Sequence, residues 1–241
     1  MSDHLSSVMR ALEHAASGDF ARAQHCLESE SDSEVVGARY AELTKTLYAR
    51  NKDVHGMIAL GRAGIDYQLR QAKRVAADDA ALSVGLRKEA KRLAFNVAAN
   101  CWPGWGDDGV VIEAAHIEEG LRLAKLSLGL VQELALEQRQ LGNAFWLVGA
   151  LDLAAGRTET AMASFDRAHA CFLSDGERLE MLLAEGYQAI ALSATTAGER
   201  ADVRLDEVVG QLQQDGSEKA EFFARQLRTA ARILRDRLRH G

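Results

Sequence analysis

Proline is almost absent from this chain: Pro103 is the only one in 241 residues. Because proline breaks helices and marks turns, its near absence favours long helices joined by short loops. Strand-like alternation of apolar and polar residues is also missing, as is any low-complexity linker. Alanine, leucine, arginine and glutamate, all strong helix formers, dominate instead. The composition therefore predicts an all-α protein.

Long apolar runs are missing too. No stretch approaches 18 consecutive apolar residues, and the first residues lack the apolar core of a signal peptide. The three cysteines, Cys26, Cys101 and Cys171, are far apart and odd in number. That pattern favours free thiols in a reducing compartment over a disulfide framework. We therefore expect a cytoplasmic protein without a membrane span.

The charge is acidic overall and unevenly distributed. A formal net charge of −6 argues against a protein that coats nucleic acid. Residues 217–241 nevertheless carry seven Lys or Arg residues against three Asp or Glu residues. The basic charge is thus concentrated at the C-terminus.

Apolar residues that recur every three to four positions predict about eleven helices. They span residues 3–16, 20–29, 33–50, 53–76, 79–101, 109–131, 134–155, 158–173, 177–197, 201–213 and 217–239. The gaps are short except at 102–108, where the single proline lies among glycines and tryptophans. Short gaps between helices favour antiparallel hairpins.

Small and aromatic residues recur in a repeat-like pattern, most clearly between residues 142 and 175. The marked positions there are Phe145, Val148, Gly149, Gly156, Ala161, Phe165 and Ala168. Related turns begin at Gly18 and Asn51, which are 33 positions apart. The pattern resembles the tetratricopeptide repeat, whose period is about 34 residues. Asp152, where that family usually has an aromatic residue, and the absent closing prolines depart from it.

The resemblance implies a fold and a function. The implied fold is a right-handed superhelix of stacked antiparallel helical hairpins, forming one domain over residues 1–241. A Trp-rich loop at 102–108 interrupts it, and an amphipathic capping helix at 217–239 closes it. The implied function is non-catalytic recognition of another protein or a peptide on the concave face. Self-association is also open, because terminal hairpins leave apolar faces to cover.

Candidate binding residues follow from the polar and aromatic side chains near the loop. Arg92, Asn96 and Asn100 share one face of a predicted helix because they are four positions apart. The resemblance implies that Asn143 and Trp146 lie on the side of their helix that faces the concave groove. The predicted site comprises Arg92, Asn96, Asn100, Trp102, Trp105, Asn143 and Trp146. For the two loop tryptophans we weigh two roles, a hydrophobic plug between hairpins and an aromatic lip over the groove.

The loop also contains the string Gly104-Trp105-Gly106-Asp107-Asp108-Gly109. A dinucleotide-binding fingerprint requires a preceding strand, and here a helix precedes it. Two adjacent carboxylates also do not complete a calcium shell. We interpret Asp107 or Asp108 as the N-cap of the next helix and expect no cofactor.

Arginines cluster on one side of the C-terminal helix, opposite its apolar stripe. They are Arg225, Arg228, Arg232, Arg235 and Arg239. One interpretation is a solvated face of a capping helix. The alternatives are a docking face for an acidic partner, the acidic remainder of this chain itself, or an anionic membrane or nucleic acid.

Catalytic motifs are not found. His169 and Cys171 are two positions apart on a predicted helix and so point to different faces, which argues against a shared metal. No nucleophile motif or phosphate-binding loop occurs. The sequence predicts no catalytic and no metal-binding residues. Two alternative functions stay open: a small-ligand sensor with the Trp loop over the groove, and an enzyme with dispersed active-site residues.

Overall fold

Eleven α-helices and two short helical turns account for nearly all of the residues that the computed structural model describes, 2–29, 32–193 and 198–240. The helices are α1 (Ser2–Ala16), α2 (Phe20–Leu27), α3 (Ser33–Thr46), α4 (Val54–Val75), α5 (Ala80–Asn100), α6 (Ala114–Glu133), α7 (Gln138–Ala154), α8 (Thr158–Ser174), α9 (Arg178–Ser193), α10 (Gly198–Asp215) and α11 (Glu218–His240). A π-helical turn, Leu47–Asn51, continues α3, and a 3-10 turn spans Pro103–Trp105. No strand occurs in these ranges. The prediction of an all-α protein is confirmed for them.

The chain divides into two compact units. The first comprises Met1–Cys101 and Gly109–Leu134 and contains α1 to α6. The second comprises Trp102–Asp108 and Ala135–Gly241, so the Trp loop belongs with α7 to α11. The expectation of one domain over residues 1–241 stays a prediction.

Within each unit, helices that follow one another in sequence pack as neighbours. In the first unit α4 packs on both α3 and α5, and α5 also packs on α6. In the second unit α7, α8, α9, α10 and α11 each pack on the next. The predicted packing of neighbouring hairpins is therefore confirmed, whereas the handedness of a superhelix stays a prediction.

Aspartates begin several of these helices. The carboxylates of Asp19, Asp53 and Asp79 each accept a hydrogen bond from the backbone N–H three residues later, over 2.8–3.1 Å. Such caps satisfy N–H groups that have no partner inside the helix. Asp19 and Asp53 do so at the ends of the two related turns, directly after Gly18 and Lys52, which both have a positive φ.

Close packing of α7 on α8 explains the small and aromatic residues of the repeat-like pattern between residues 142 and 175. A Cβ at Gly149 would lie 2.7 Å from Cε1 of Phe165 and 3.1 Å from the carbonyl oxygen of Ala161. The missing side chain thus lets the two helices approach. Asp152, the departure from the family pattern, is buried and lies 3.4 Å from the guanidinium of Arg157.

The start of α6 differs from the prediction. The predicted helix begins at residue 109 with Asp107 or Asp108 as its N-cap, but α6 begins at Ala114 and its N-cap is Glu113. Gly109 has a positive φ of 75°, a left-handed conformation that interrupts a helix. The backbone N–H of Glu113 donates to Nδ1 of His116 over 3.2 Å, which fixes the later start. The predicted end of α9 at residue 197 lies outside the described residues, because 194–197 are not among them.

Candidate functional site

A groove between α3 and α5 in the first unit brings together three of the predicted binding residues. Its volume is about 480 Å³. On the α5 side it is lined by Arg92, Asn96 and Asn100, which lie on successive turns. On the α3 side it is lined by Glu42 and Lys45, which the sequence pattern did not indicate. We call this cavity the α3/α5 groove.

Small side chains make room for the groove. Ala38 and Ala41 on α3 and Ala99 on α5 line it and project little volume. Leu93 and Val97 also line it and are almost fully buried, so they form an apolar floor. Packing thus closes the floor and leaves the walls to the polar side chains.

The polar side chains of the walls are largely without partners. Among the described residues, Glu42, Lys45, Asn96 and Asn100 have no hydrogen bond or ion pair through their side chains. Arg92 is paired, since its Nε donates to the Glu89 carboxylate over 2.9 Å, but both side chains are about half exposed. Exposed pairs of this kind are worth only about 0–1 kcal/mol, so Arg92 is available to a ligand at little cost.

Two other cavities differ from the groove in this respect. In the first unit, a cavity of about 390 Å³ contains Glu119, whose carboxylate is held by Arg62 at 3.3 Å and by Arg122. In the second unit, a cavity of about 340 Å³ contains Glu185, which lies 3.2 Å from His169 and is also paired with Arg204. In both, an arginine of the same unit already pairs with the central carboxylate.

The tryptophans form an aromatic cluster in the second unit. The ring centroid of Trp102 lies 4.9 Å from that of Trp105, 6.0 Å from that of Trp146 and 5.6 Å from that of Tyr187. Trp102 is 1% exposed and Trp146 is 7% exposed, while Trp105 is half-buried. Of the two roles considered for the loop tryptophans, a hydrophobic plug accounts for the burial of Trp102. The indole N–H groups of Trp102 and Trp146 are buried with no hydrogen-bond partner among the described atoms.

The loop that carries these rings is fixed within the same unit. A Cβ at Gly104 would overlap the Trp102 ring, so only glycine fits there. The α carbon of Gly106 faces Thr229 and Ile233 of α11, because a Cβ there would lie 3.0 Å from a methyl group of each. On α7, Asn143 is half-buried. The binding role of Asn143 and the tryptophans stays a prediction.

The arginines of α11 are partly occupied by the chain itself. Arg235 pairs with Asp202 of α10, and Arg228 donates to Gln213 over 3.3 Å. Arg225 is 68% exposed and lies 3.8 Å from Glu221, and Arg232 is exposed. The side chain of Arg239 lies outside the described residues. The acidic remainder of the chain thus contacts part of this face.

Two of the three cysteines, Cys101 and Cys171, are buried. Burial raises the pKa of the Cys101 thiol to about 12, and burial also raises the pKa of Cys171. Because the thiolate is the reactive form, neither is activated as a nucleophile. Within the described residues no three His, Cys, Asp or Glu side chains are placed to hold a metal ion.

Comparisons with known proteins found no matching family model and no matching curated protein. Among the described residues, no helix combines the length and the apolar character needed to cross a membrane.

Local spacing predicted one wall of the groove and not the other. The four-residue spacing of Arg92, Asn96 and Asn100 is visible on α5 alone. Glu42 and Lys45 are three positions apart on α3, as charged residues on many solvated helices are. Their significance depends on which part of α5 lies beside them, and no local pattern contains that information.

Proposed function

We propose that this chain is a non-catalytic recognition protein that binds an extended segment of another protein in the α3/α5 groove. The observation that carries the proposal is the set of polar side chains in the groove that have no partner within the described chain. Asparagine carboxamides both donate and accept, so Asn96 and Asn100 suit the backbone amides of an extended segment. A segment held in this way gains hydrogen bonds that the folded protein does not itself use.

We also propose that the fold is a divergent tetratricopeptide-type repeat. Support comes from the two aspartate-capped turns and from the contact of Gly149 with Phe165. Recognition inferred from a fold is a weak argument by itself, because one fold serves many functions. The proposal therefore depends on the groove and its residues. The three free cysteines support a reducing, cytoplasmic compartment.

The experiment measures which proteins bind to three immobilised forms of this chain. The forms are the wild type, the double variant Asn96→Ala/Asn100→Ala, and Lys88→Ala as a matched control. Lys88 is exposed on α5 and does not line the groove. A photo-crosslinking residue at Ala38, which is exposed in the groove, identifies what lies there. We expect a crosslinked protein with the wild type and Lys88→Ala backgrounds, and its loss from the double variant. Equal crosslinking in all three backgrounds would refute the groove as the binding site.

A second candidate function is a small-ligand sensor. The groove volume of about 480 Å³ lies within the range of roughly 300–1,000 Å³ typical of small-molecule sites. A ligand that binds only the folded state raises the melting temperature. A thermal-shift screen of metabolites therefore tests this candidate. A hit that Asn96→Ala/Asn100→Ala abolishes, without any crosslinked protein, favours the sensor.

A further inference from the structure

The groove residues have a defined order along the two helices, which glycine contacts with α4 establish. A Cβ at Gly64 would lie 2.6 Å from the Tyr40 ring of α3 and 2.9 Å from Cδ2 of Leu93 of α5. Tyr40 and Leu93 therefore lie side by side at the same height on one face of α4. A Cβ at Gly61 would likewise lie 2.6 Å from Val97, one turn further along α5. On α3, a Cβ at Gly37 would lie 2.5 Å from the Gln68 carboxamide of α4, so α3 is antiparallel to α4 as well, and α3 and α5 run in the same direction.

This register places the charged side chains in an alternating order. Counting from the level of Tyr40, Arg92 comes first, Glu42 lies beside the turn that carries Asn96, and Lys45 lies beside the turn that carries Asn100. The rise of 1.5 Å per residue puts neighbouring charges about 5 Å apart along the axis. Along the groove the order is cation, anion, cation.

An extended chain presents side chains to one side at every second residue, about 6.6 Å apart. Long Lys, Arg and Glu side chains cover the small difference from the spacing of the groove charges. Resting on the proposed function, we propose that the α3/α5 groove binds an extended protein segment in which alternate residues are acidic, basic and acidic. The acidic residues face Arg92 and Lys45, and the basic residue faces Glu42.

The charged side chains of the groove have few partners among the described residues, which leaves them available to a charged occupant. Glu42 and Lys45 have no ion-pair partner among the described residues, and they do not form an ion pair with each other. Among the same residues, only the exposed pair with Glu89 competes for Arg92. An acidic residue of the partner replaces that weak contact. An uncharged segment leaves these charges unmatched and gains only the contacts of Asn96 and Asn100.

The test uses fluorescein-labelled octapeptides with four different cores, measured by fluorescence polarisation at low ionic strength. The cores are Glu-Thr-Lys-Thr-Glu, Lys-Thr-Glu-Thr-Lys, Gln-Thr-Gln-Thr-Gln and Glu-Thr-Glu-Thr-Glu. Threonine spacers favour the extended conformation. For the wild type we expect the first core to bind at least about tenfold more tightly than the second, since each of the three matched charges contributes about two- to fivefold.

Charge reversal in the groove then changes the preference. Glu42→Lys is expected to prefer the Glu-Thr-Glu-Thr-Glu core. Lys45→Glu is expected to prefer one of two further cores, Glu-Thr-Lys-Thr-Lys or Lys-Thr-Lys-Thr-Glu. The chain direction follows from which of these two cores is preferred. Lys88→Glu, an equal charge reversal outside the groove, keeps the wild-type preference. Because two variants gain a new ligand, loss of folding cannot mimic the result.

The outcomes separate this inference from the proposed function. If the wild type binds all four cores equally, or if Glu42→Lys and Lys45→Glu keep the wild-type order, the alternating-charge occupant is wrong and peptide recognition stands. If no core binds although groove crosslinking to a protein succeeds, the occupant is again wrong. If no core binds and no protein is crosslinked, both the occupant and the proposed function are overturned.

Discussion

Gly149 of α7 faces the ring of Phe165 of α8 so closely that a Cβ would lie 2.7 Å from Cε1. A Cβ at Gly210 of α10 would instead point into open space. The two glycines therefore separate two effects of Gly→Ala substitution. In a helix alanine is favoured by about 1 kcal/mol over glycine, whereas overpacking a core costs about 1–3 kcal/mol.

We predict that Gly149→Ala lowers the free energy of unfolding by up to about 2 kcal/mol, because the clash with Phe165 exceeds the gain in helix propensity. Gly210→Ala is expected to raise it by up to about 1 kcal/mol. Urea unfolding followed by circular dichroism measures both. An unfolding midpoint for Gly149→Ala at or above that of the wild type would contradict the close packing of α7 on α8.

Glu180 is a buried carboxylate whose Oε1 lies 2.6 Å from Nζ of Lys219. Its Oε2 is buried without a hydrogen-bond partner among the described atoms. Removing the ammonium leaves this carboxylate with Arg139, at 3.6 Å, as its remaining partner in the described chain. We predict that Lys219→Met destabilises the protein by about 1–3 kcal/mol, and that Lys219→Met/Glu180→Gln recovers much of the loss.

The control for Lys219→Met is Arg225→Met, on the same helix. Arg225 and Glu221 form an exposed pair at 3.8 Å. Loss of such a pair is expected to cost less than about 0.5 kcal/mol. Urea denaturation of all four proteins gives the comparison. Equal effects of Lys219→Met and Arg225→Met would show that Glu180 does not need its partner.

Local sequence pattern and cross-helix contact differ in what they can predict here. The turn at Asn51 and helices α7 and α8 were predictable because the residues that indicate each of these elements are adjacent or one turn apart. The start of α6 was predicted wrongly. The left-handed Gly109 interrupts the helix, and the contact between Glu113 and His116 caps it later, so neither Asp107 nor Asp108 is the N-cap. The burial of Trp102 and the pairing of the groove walls depend on residues distant in sequence, so no periodicity contains them.

The burial of Tyr187 determines how this residue changes the free energy of unfolding at alkaline pH. Desolvation raises the pKa of its hydroxyl well above the ordinary tyrosine value of about 10, and the hydrogen bond from Gln226 acts in the opposite direction. Above pH 10 the unfolded state therefore releases a proton that the folded state retains. Stability contributed by the neutral hydroxyl is fully present below pH 10 and is lost as the pH rises.

We predict that the free energy of unfolding falls with a contribution of about 1.4 kcal/mol per pH unit from Tyr187 above pH 10. Tyr187→Phe is expected to be less stable at pH 8, because it loses the bond from Gln226, yet to show a shallower alkaline decline. Urea midpoints measured between pH 8 and 11 test the sign. Parallel declines for both proteins would show that Tyr187 ionises normally in the fold.

The cysteines offer a test of the packing of the first unit. Cys101 is fully buried and its pKa is raised to about 12, whereas Cys26 is half-buried. Iodoacetamide is therefore expected to modify Cys26 in the native protein and Cys101 only as urea unfolds the chain. Mass spectrometry of digested samples measures each site. Rapid native modification of Cys101 would place it outside the core.

The α3/α5 groove makes one prediction that separates binding from folding. Asn96 and Asn100 have no side-chain partners within the described chain. Their replacement by alanine is therefore expected to change the free energy of unfolding by less than about 0.5 kcal/mol. Leu93, on the groove floor, is 3% exposed, and Leu93→Ala is expected to cost about 2–5 kcal/mol. Urea unfolding of Asn96→Ala, Asn100→Ala and Leu93→Ala provides the measurement.

Either result for the asparagines is informative about the groove. If Asn96 or Asn100 proved as costly to replace as Leu93, it would have a structural partner, and its carboxamide would not be available to a ligand. If both are neutral, loss of binding in Asn96→Ala/Asn100→Ala reports on contact with the partner rather than on the fold, because the protein that fails to bind is as stable as the one that binds.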